Sequence, residues 1–459
     1  MTILAVANLT IQAATGTIVR NVSFQLAAGE ILVMMGESGS GKTLVAQAVM
    51  GTLPADLSMT GTIMIGGERD PDRRPLWGRR MALLPQEPWS ALDPTMRADR
   101  QVALGVKHVA KQPWPAAVAL ARGALDRLGL AQAAHRYPYQ LSGGMAQRVA
   151  FAATTLADTA LLIADEPTKG LDAERRDDIA QQMQMAAQRG GAVLVITHDI
   201  AFARQLGGQM LVMLEGNIVE SGATAEVLAR PSHPYTSALL AADPAVWQAV
   251  SATSGKQPVI EGRSLTCRRG GATLFDGLDV TVGAGEIVAV AGPSGCGKTS
   301  LGNILLGLVA ADAGLVTRMS APAVRFQKLY QDPIAAFAPG LTLRRALSDL
   351  CHRHNIDWSA VDHLLSSMGV DAPLLERVPG AVSGGELQRI ALVRALLLEP
   401  VFLFADEATS RLDPLTQAEV MQLLRQLATE KTMGVLLVTH DPALARGMAA
   451  RQICLSTTS

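Results

Sequence analysis

The stretch Leu141-Ser142-Gly143-Gly144-Met145-Ala146-Gln147-Arg148 decides how this chain is read. Alone it is a polar turn that opens a helix. It is followed by Leu161-Leu162-Ile163-Ala164-Asp165-Glu166-Pro167, an apolar run of strand length that ends in two carboxylates. The same pair returns as Val382-Ser383-Gly384-Gly385-Glu386-Leu387-Gln388-Arg389 and Phe402-Leu403-Phe404-Ala405-Asp406-Glu407-Ala408. Whatever the chain does, it is built to do twice.

Working outward, apolar runs at 4–9, 23–26 and 31–35 read as strands. The last of them feeds into Gly36-Glu37-Ser38-Gly39-Ser40-Gly41-Lys42-Thr43, with an amphipathic helix expected over 44–50. This is the GxxxxGK[ST] pattern between a strand and a helix, the context in which it binds phosphate. Its glycines let successive N–H groups turn onto an anion at a helix N-terminus whose dipole already favours negative charge. Lys42 is placed to reach the terminal phosphates and Thr43 to ligate magnesium. Residues 101–135 read as a helical insertion. Beyond it, adjacent carboxylates at a strand end are costly to bury unless a cation or a proton transfer uses them. Asp165 is read as holding the magnesium shell and Glu166 as polarising a water in line with the γ-phosphate. A further strand over 192–196 ends in Thr197-His198-Asp199, where His198 reads as a γ-phosphate sensor. Gly216-Asn217 reads as a hairpin turn. Pro231-Ser232-His233-Pro234-Tyr235-Thr236 follows, and 244–257 has linker composition.

The second half repeats this order: Gly292-Pro293-Ser294-Gly295-Cys296-Gly297-Lys298-Thr299, then Gln331, Ser383, Asp406-Glu407 and His440. The offset between equivalents is 256 at the lysines, 245 at Gln86 and Gln331, 241 at the serines and carboxylates, and 242 at the histidines. Near-constant spacing in conserved order marks an internal duplication, with the second copy trimmed between its phosphate loop and its glutamine.

Composition limits the class further. At 459 residues the chain exceeds one ordinary core, and the net charge of −1 leaves no basic footprint for nucleic acid or a membrane surface. The richest apolar run, 390–405, is broken by Arg394, Glu399 and Pro400, so no spanning helix is expected. Met1-Thr2-Ile3-Leu4-Ala5 has no basic segment leading into a sustained apolar run, so no secretory signal is expected. The four cysteines, Cys267, Cys296, Cys351 and Cys454, lie far apart, without CxxC pairs, which fits a reducing cytosol and predicts no cysteine-bound cluster.

The ordered set of phosphate loop, Gln, LSGGxxQR, Asp-Glu and His resembles the ATP-binding cassette ATPases, over nearly the whole chain and in two copies. The resemblance implies an α/β fold of two tandem P-loop cassettes, at 1–246 and 258–459 with a linker at 247–257. Each would have an α/β core, an antiparallel β subdomain and a helical subdomain carrying the signature motif. It implies ATP and Mg2+ as ligands. Nucleotide contacts would come from Gly36, Ser38, Gly39, Gly41, Lys42, Thr43 and Gln86 in the first copy. Gly292, Ser294, Gly295, Gly297, Lys298, Thr299 and Gln331 would supply them in the second.

Magnesium would be held by Thr43, Gln86 and Asp165, and by Thr299, Gln331 and Asp406. Glu166, His198, Glu407 and His440 would be catalytic. The family pairs cassettes head to tail, so Ser383, Gly384 and Gly385 would serve the ATP on Lys42, and Ser142, Gly143 and Gly144 that on Lys298. Intramolecular pairing would replace an ATPase dimer, and both sites would be competent.

Tyr137-Pro138, Gln86-Glu87-Pro88, His233-Pro234-Tyr235-Thr236 and Asp406-Glu407-Ala408-Thr409-Ser410 look like the nickel, dipeptide and oligopeptide importer cassettes. That implies a peripheral ATPase on the cytoplasmic face of the bacterial inner membrane, coupled to two transmembrane permease subunits and an extracytoplasmic solute-binding protein, with no nucleic-acid partner. Residues 91–97 and 335–341 are the candidate permease-facing segments. The alternative is a soluble tandem cassette ATPase serving a phosphonate-degrading or ribosome-associated complex.

Overall fold

The computed structural model describes all residues except 15, 38, 70–71, 86–90, 157–158, 169–170, 172, 251–256, 294, 410–411 and 456–459, and only the backbone of 173–175. Ser38, Gln86 and Ser294 therefore lie outside the described residues, as does most of the expected linker. The chain divides into two compact units, Met1–Leu240 and Ala241–Ser459.

In the first unit β1 (Thr2–Ala13) and β2 (Gly16–Ala27) pair antiparallel, β3 (Ile31–Gly36) leaves for a second sheet, and β4 (Ser58–Ile65) returns to complete the order β2-β1-β4. β1 and β2 run well beyond the apolar stretches at 4–9 and 23–26. An antiparallel ladder with one wet face continues through polar residues. The main sheet adds β5 (Met81–Leu84), β6 (Leu161–Asp165), β7 (Ala192–Ile196), β8 (Gln209–Leu214) and β9 (Asn217–Ala223), in the order β5-β6-β7-β3-β8-β9. Its pairs are parallel except the β8–β9 hairpin, which turns at Glu215 and Gly216. β3, β6 and β7 are buried along their whole length, as strands covered on both faces must be.

The helices of this unit are α1 (Lys42–Met50), α2 (Ala98–His108), α3 (Trp114–Arg127), α4 (Gly143–Thr155), α5 (Ala173–Gln188), α6 (Ile200–Leu206), α7 (Thr224–Ala229) and α8 (Pro234–Ala241), the last running to the unit boundary. Three of them, α2, α3 and α4, pack on one another as a helical layer, within the expected insertion and its sequel. The β1–β2–β4 sheet closes over α1 and the central strands through Leu4, Leu9, Ile11, Val45 and Met34.

The second unit repeats the plan. β10 (Pro258–Arg269), β11 (Ala272–Gly283), β12 (Ile287–Ala291), α9 (Lys298–Leu305) and β13 (Ala313–Arg318) give the antiparallel order β11-β10-β13. β14 (Phe326–Leu329), α10 (Leu343–His354), α11 (Trp358–Ser367), α12 (Gly384–Leu396) and β15 (Phe402–Asp406) follow. α13 (Pro414–Glu430), β16 (Gly434–Val438), α14 (Pro442–Met448) and β17 (Arg451–Cys454) complete a parallel sheet ordered β14-β15-β16-β12-β17. Ahead of β10, Asp243 caps a short turn at Pro244–Val246, and Trp247 packs on the core of this unit. Among the described residues no helix is long and apolar enough to cross a membrane.

Candidate functional site

Each strand order decides which loops meet. β3 lies between β7 and β8, with β6 beyond β7, so the carboxyl ends of β3, β6 and β7 open side by side. That is where an open α/β sheet binds its ligand. Gly36 leaves β3 at φ 149, and a Cβ there would fall 2.1 Å from Met213 O, so the turn admits only glycine. Gly41 at φ 93 then delivers the chain into α1. Lys42 starts that helix and its Nζ donates to Gly36 O (2.9 Å), Glu37 O (2.6 Å) and Ser40 Oγ (3.3 Å), folding the side chain over the loop. In the second unit Gly292, Gly295 and Gly297 have φ 149, 84 and 101, and Lys298 Nζ donates to Gly292 O (2.8 Å) and Pro293 O (2.9 Å). Both ammonium groups are held at a helix N-terminus, over the backbone nest of the loop.

The carboxylates stand across from them. Asp165 and Asp406 end β6 and β15, buried, and Glu166 and Glu407 follow at φ 50 and 49. A left-handed glutamate is strained by about 1 kcal/mol or more, a cost found mainly where function sets the geometry. Here the strain turns the carboxylate past the strand end while its own N–H closes the ladder, on Ile196 O (2.8 Å) and Val438 O (3.1 Å). His198 Nδ1 lies 2.8 Å from Glu166 Oε1, and His440 Nε2 lies 2.5 Å from Glu407 Oε1. Burial alone would lower the His198 pKa, but the Glu166 carboxylate outweighs it by charge and hydrogen bond, so the value lies above the ordinary one. Gln331 Nε2 donates to the second oxygen of Glu407 at 2.7 Å.

The signature serines begin helices. Ser142 is the N-cap of α4 and accepts from Met145 N–H (3.4 Å); Ser383 is the N-cap of α12, in a capping box with Glu386. Both serines are exposed, so the N–H groups of Gly143, Gly144, Gly384 and Gly385 form the open starts of two helices. Within its own unit the motif's glutamine reaches the reaction loops: Gln147 Nε2 donates to Pro167 O (3.3 Å), and Gln388 Nε2 to Tyr330 O (3.3 Å). The next arginine ties back to the preceding helical segment, Arg148 to Leu128 O (2.5 Å) and Arg389 to Met368 O (3.1 Å).

Between these groups in the first unit is a pocket of ≈ 300 Å³ lined by Gly39, Gly41, Lys42, Thr43, Leu44, Asp165, Glu166 and Ile196. Cationic and N–H donors on one wall and carboxylates on the other fit a phosphate chain carrying a hard cation. In the second unit Thr299 Oγ1 donates to Asp406 Oδ1 at 3.0 Å, so a hydroxyl and a carboxylate, the all-oxygen donors magnesium prefers, already stand together. Burial pushes the Asp406 carboxyl up, against the pull of Lys328 and Thr299.

Lys328 is the site neighbour that motif reading missed. Its Nζ lies 3.4 Å from Asp406 Oδ2. The available signal was a charge inside the short strand Phe326-Gln327-Lys328-Leu329, which pairs with the fully buried strand Phe402–Asp406. A second missed group is Glu220. It accepts from Ser232 N (2.7 Å), Ser232 Oγ (2.9 Å) and His233 N (3.1 Å), fastening the segment before Tyr235. Burial works against its ionised form, yet these donors hold its pKa at about 2.

Comparison with known proteins bears on both halves. The family model described as ABC transporter matches residues 19–169 and 275–410. The peptidoglycan transport ATP-binding protein YejF of Agrobacterium fabrum is 33% identical over 477 residues, covering 95% of this chain and 87% of that protein. The glutathione import ATP-binding protein GsiA of Escherichia coli is 30% identical over 503 residues, covering 94% and 81%. Among solved structures, RNase-L Inhibitor aligns with a TM-score of 0.70 at 21% identity, over 97% of this chain and 87% of that one, a likeness of fold. With both halves matched by one family model and such relatives aligned over most of their length, the chain belongs to the ABC transporter family, as an ATPase of two tandem cassettes that takes ATP with Mg2+ and hydrolyses it.

Proposed function

We propose that this chain is the energy-coupling ATPase of a bacterial importer for peptide-containing cargo. It would work on the cytoplasmic face of the inner membrane with two permease subunits and an extracytoplasmic solute-binding protein. The observation that carries this reading is the similarity, over 94–95% of the chain, to ATP-binding proteins named for peptidoglycan transport and glutathione import. Both of those cargoes contain peptide linkages, which favours peptides over nickel or other metal chelates within the resembled importer group.

The chemistry follows from the residues. Lys42 and Lys298 exchange their loop carbonyls for the terminal phosphates. Thr43, Gln86 and Asp165, and Thr299, Gln331 and Asp406, would hold magnesium, which when bound would offset phosphate charge and polarise the γ-phosphate. Glu166 and Glu407, aimed by their left-handed backbone, accept a hydrogen bond from the attacking water and orient it in line. His198 and His440 keep those carboxylates in place and present a ring N–H toward the γ-phosphate. Ser142 and Ser383, with the N–H groups behind them, each serve the nucleotide bound by the other cassette. Loss of the γ-phosphate removes that bridge, and Gln147 and Gln388 carry the change from the reaction loops into the helical layer. Segments 91–97 and 335–341 pass it to the permeases.

The test is purification of the tagged chain from detergent-solubilised membranes. Recovery of two integral-membrane partners at stoichiometric yield is expected. Recovery with ribosomes or a soluble enzyme complex, and no membrane partner, would replace this reading with the non-transport one.

A further inference from the structure

Behind the two phosphate sites, four positions differ together. In the strand register Lys328 pairs with Phe404 where the first unit pairs Leu83 with Ile163. On the helix after the phosphate loop, Gly302 and Asn303 stand where α1 has Ala46 and Gln47. These changes fit one another. A Cβ on Gly302 would lie 2.1 Å from the Phe404 ring, so only glycine leaves room for that ring against the helix. The ring in turn provides a face for Lys328, whose Nζ is 5.1 Å from the Phe404 centroid and 5.1 Å from that of Tyr330. Asn303 Oδ1 accepts from the same ammonium at 2.9 Å. The side chain is only 10% exposed, and among the described residues its carboxylate partner is Asp406, at 3.4 Å.

We infer that Lys328 is a resident counter-charge of the second site, standing in for part of the work of magnesium, so that the second cassette holds ATP with a weaker dependence on Mg2+ than the first. The inference rests on the reading that Asp406 belongs to the magnesium shell. A buried ammonium persists only where its charge and its hydrogens are satisfied. Asn303 and two aromatic faces satisfy it without Asp406, so Lys328 stays in place when that carboxylate turns to a metal ion. Two effects then act in one direction. Repulsion between Lys328 and a divalent cation on the same carboxylate weakens magnesium binding. Neutralisation of Asp406 lowers the repulsion between that carboxylate and a nucleotide arriving without metal. Leu83 can do neither.

The experiment uses the full chain and the fluorescent nucleotide mant-ATP, titrated in Mg2+ and in EDTA, so the readout is binding and not turnover. Lys42→Ala confines tight binding to the second site and Lys298→Ala to the first. The affinity lost on removing Mg2+ is expected to be about tenfold smaller for the second site, the scale of one partly screened charge. In the Lys42→Ala background, Lys328→Leu should restore that loss and Lys328→Arg should leave it unchanged. Equal Mg2+ dependence at the two sites, or none restored by Lys328→Leu, overturns the inference. Asp406→Asn in the same background separates the levels. If it alters Mg2+ dependence while Lys328→Leu does not, only the role of Lys328 fails. If neither does, the assignment of Asp406 to the magnesium shell fails as well. Should Lys328→Leu not fold, the comparison of the two lysine-to-alanine backgrounds decides on native residues at 328.

Discussion

Helix α2 of the first cassette and α10 of the second enter their helical layers by the same backbone step and opposite charges. Ala98 N–H donates to Arg136 O (2.9 Å), and Leu343 N–H to Arg377 O (3.0 Å). The next residue is Asp99 in one and Arg344 in the other. Asp99 is fully buried against Arg122 (3.0 Å) and His135 (3.4 Å), whereas Arg344 pairs with Glu376 in the open. The duplicated fold has kept the junction and let the sign of its ion pair reverse. What differs is burial of one partner: the Asp99 carboxylate is out of water while Arg122 and His135 reach it from the surface, whereas both members of the Arg344–Glu376 pair are exposed and such a pair contributes little.

The same contrast runs through the molecule: the groups proposed to touch phosphate are alike in the two halves, and what stands behind them is not. The strongest way to break that statement is at the glutamates. Glu166→Gln and Glu407→Gln should each lower hydrolysis at its own site by about 100-fold or more, as loss of a positioned base does. Steady-state phosphate release checks this. Near-normal turnover in Glu166→Gln, with turnover abolished in Glu407→Gln, would show one working site and end the claim of equivalence.

Next in size is the signature pair. Ser142→Arg should cut turnover at the second phosphate loop on the order of 100-fold by blocking the open helix start, as misplacement at a reacting centre does. Trapping of radiolabelled nucleotide at the second phosphate loop reads the effect, and unimpaired trapping there would count against cross-service between cassettes. Ser383→Arg should produce the same deficit at the first loop.

A stability contrast comes from Glu220. Its folded pKa of about 2 lies below the ordinary glutamate value. A depressed carboxylate contributes stability above its unfolded pKa and loses it as pH falls through the folded one. The first cassette should therefore weaken between about pH 4.5 and pH 2, by no more than about 3 kcal/mol. Glu220→Gln should be less stable at pH 7 and lose less on acidification; urea midpoints at pH 7 and pH 3 measure both.

The smallest expected effects sharpen the opening comparison. Asp99→Ala should cost about 2 kcal/mol by removing the charged hydrogen bond that its buried carboxylate accepts from Arg122. Arg344→Ala should cost less than about 1 kcal/mol. Equal costs in denaturant titrations would mean that burial does not set the weight of these ties.

Much of the site could be read from spacing, because a phosphate loop, a carboxylate pair and a histidine at strand ends are local patterns with few other uses. Lys42 could be placed at a helix start from Gly41-Lys42-Thr43 alone, and Asp165-Glu166 at the end of an apolar strand. Glu220 could not be linked to His233, nor Lys328 to Asp406, because those partners meet only after strands have found their neighbours. The left-handed backbone at Glu166 and Glu407 was equally hidden, since nothing local requires it. It arises where each glutamate closes a ladder begun on another strand.

The sequence by itself determined the duplication and the order of chemical groups, since glycine spacing and apolar runs act through local sterics and burial, and its resemblance to the cassette ATPases implied the two-cassette α/β fold. Only the tertiary structure decided which groups share a charge. The β14–β15 register, with Gly302 making room for Phe404, brings an ammonium to 3.4 Å from one aspartate of a duplicated pair, while Leu83 occupies that strand position in the first cassette. Electrostatic coupling depends on distance and burial, which strand pairing sets and residue order does not.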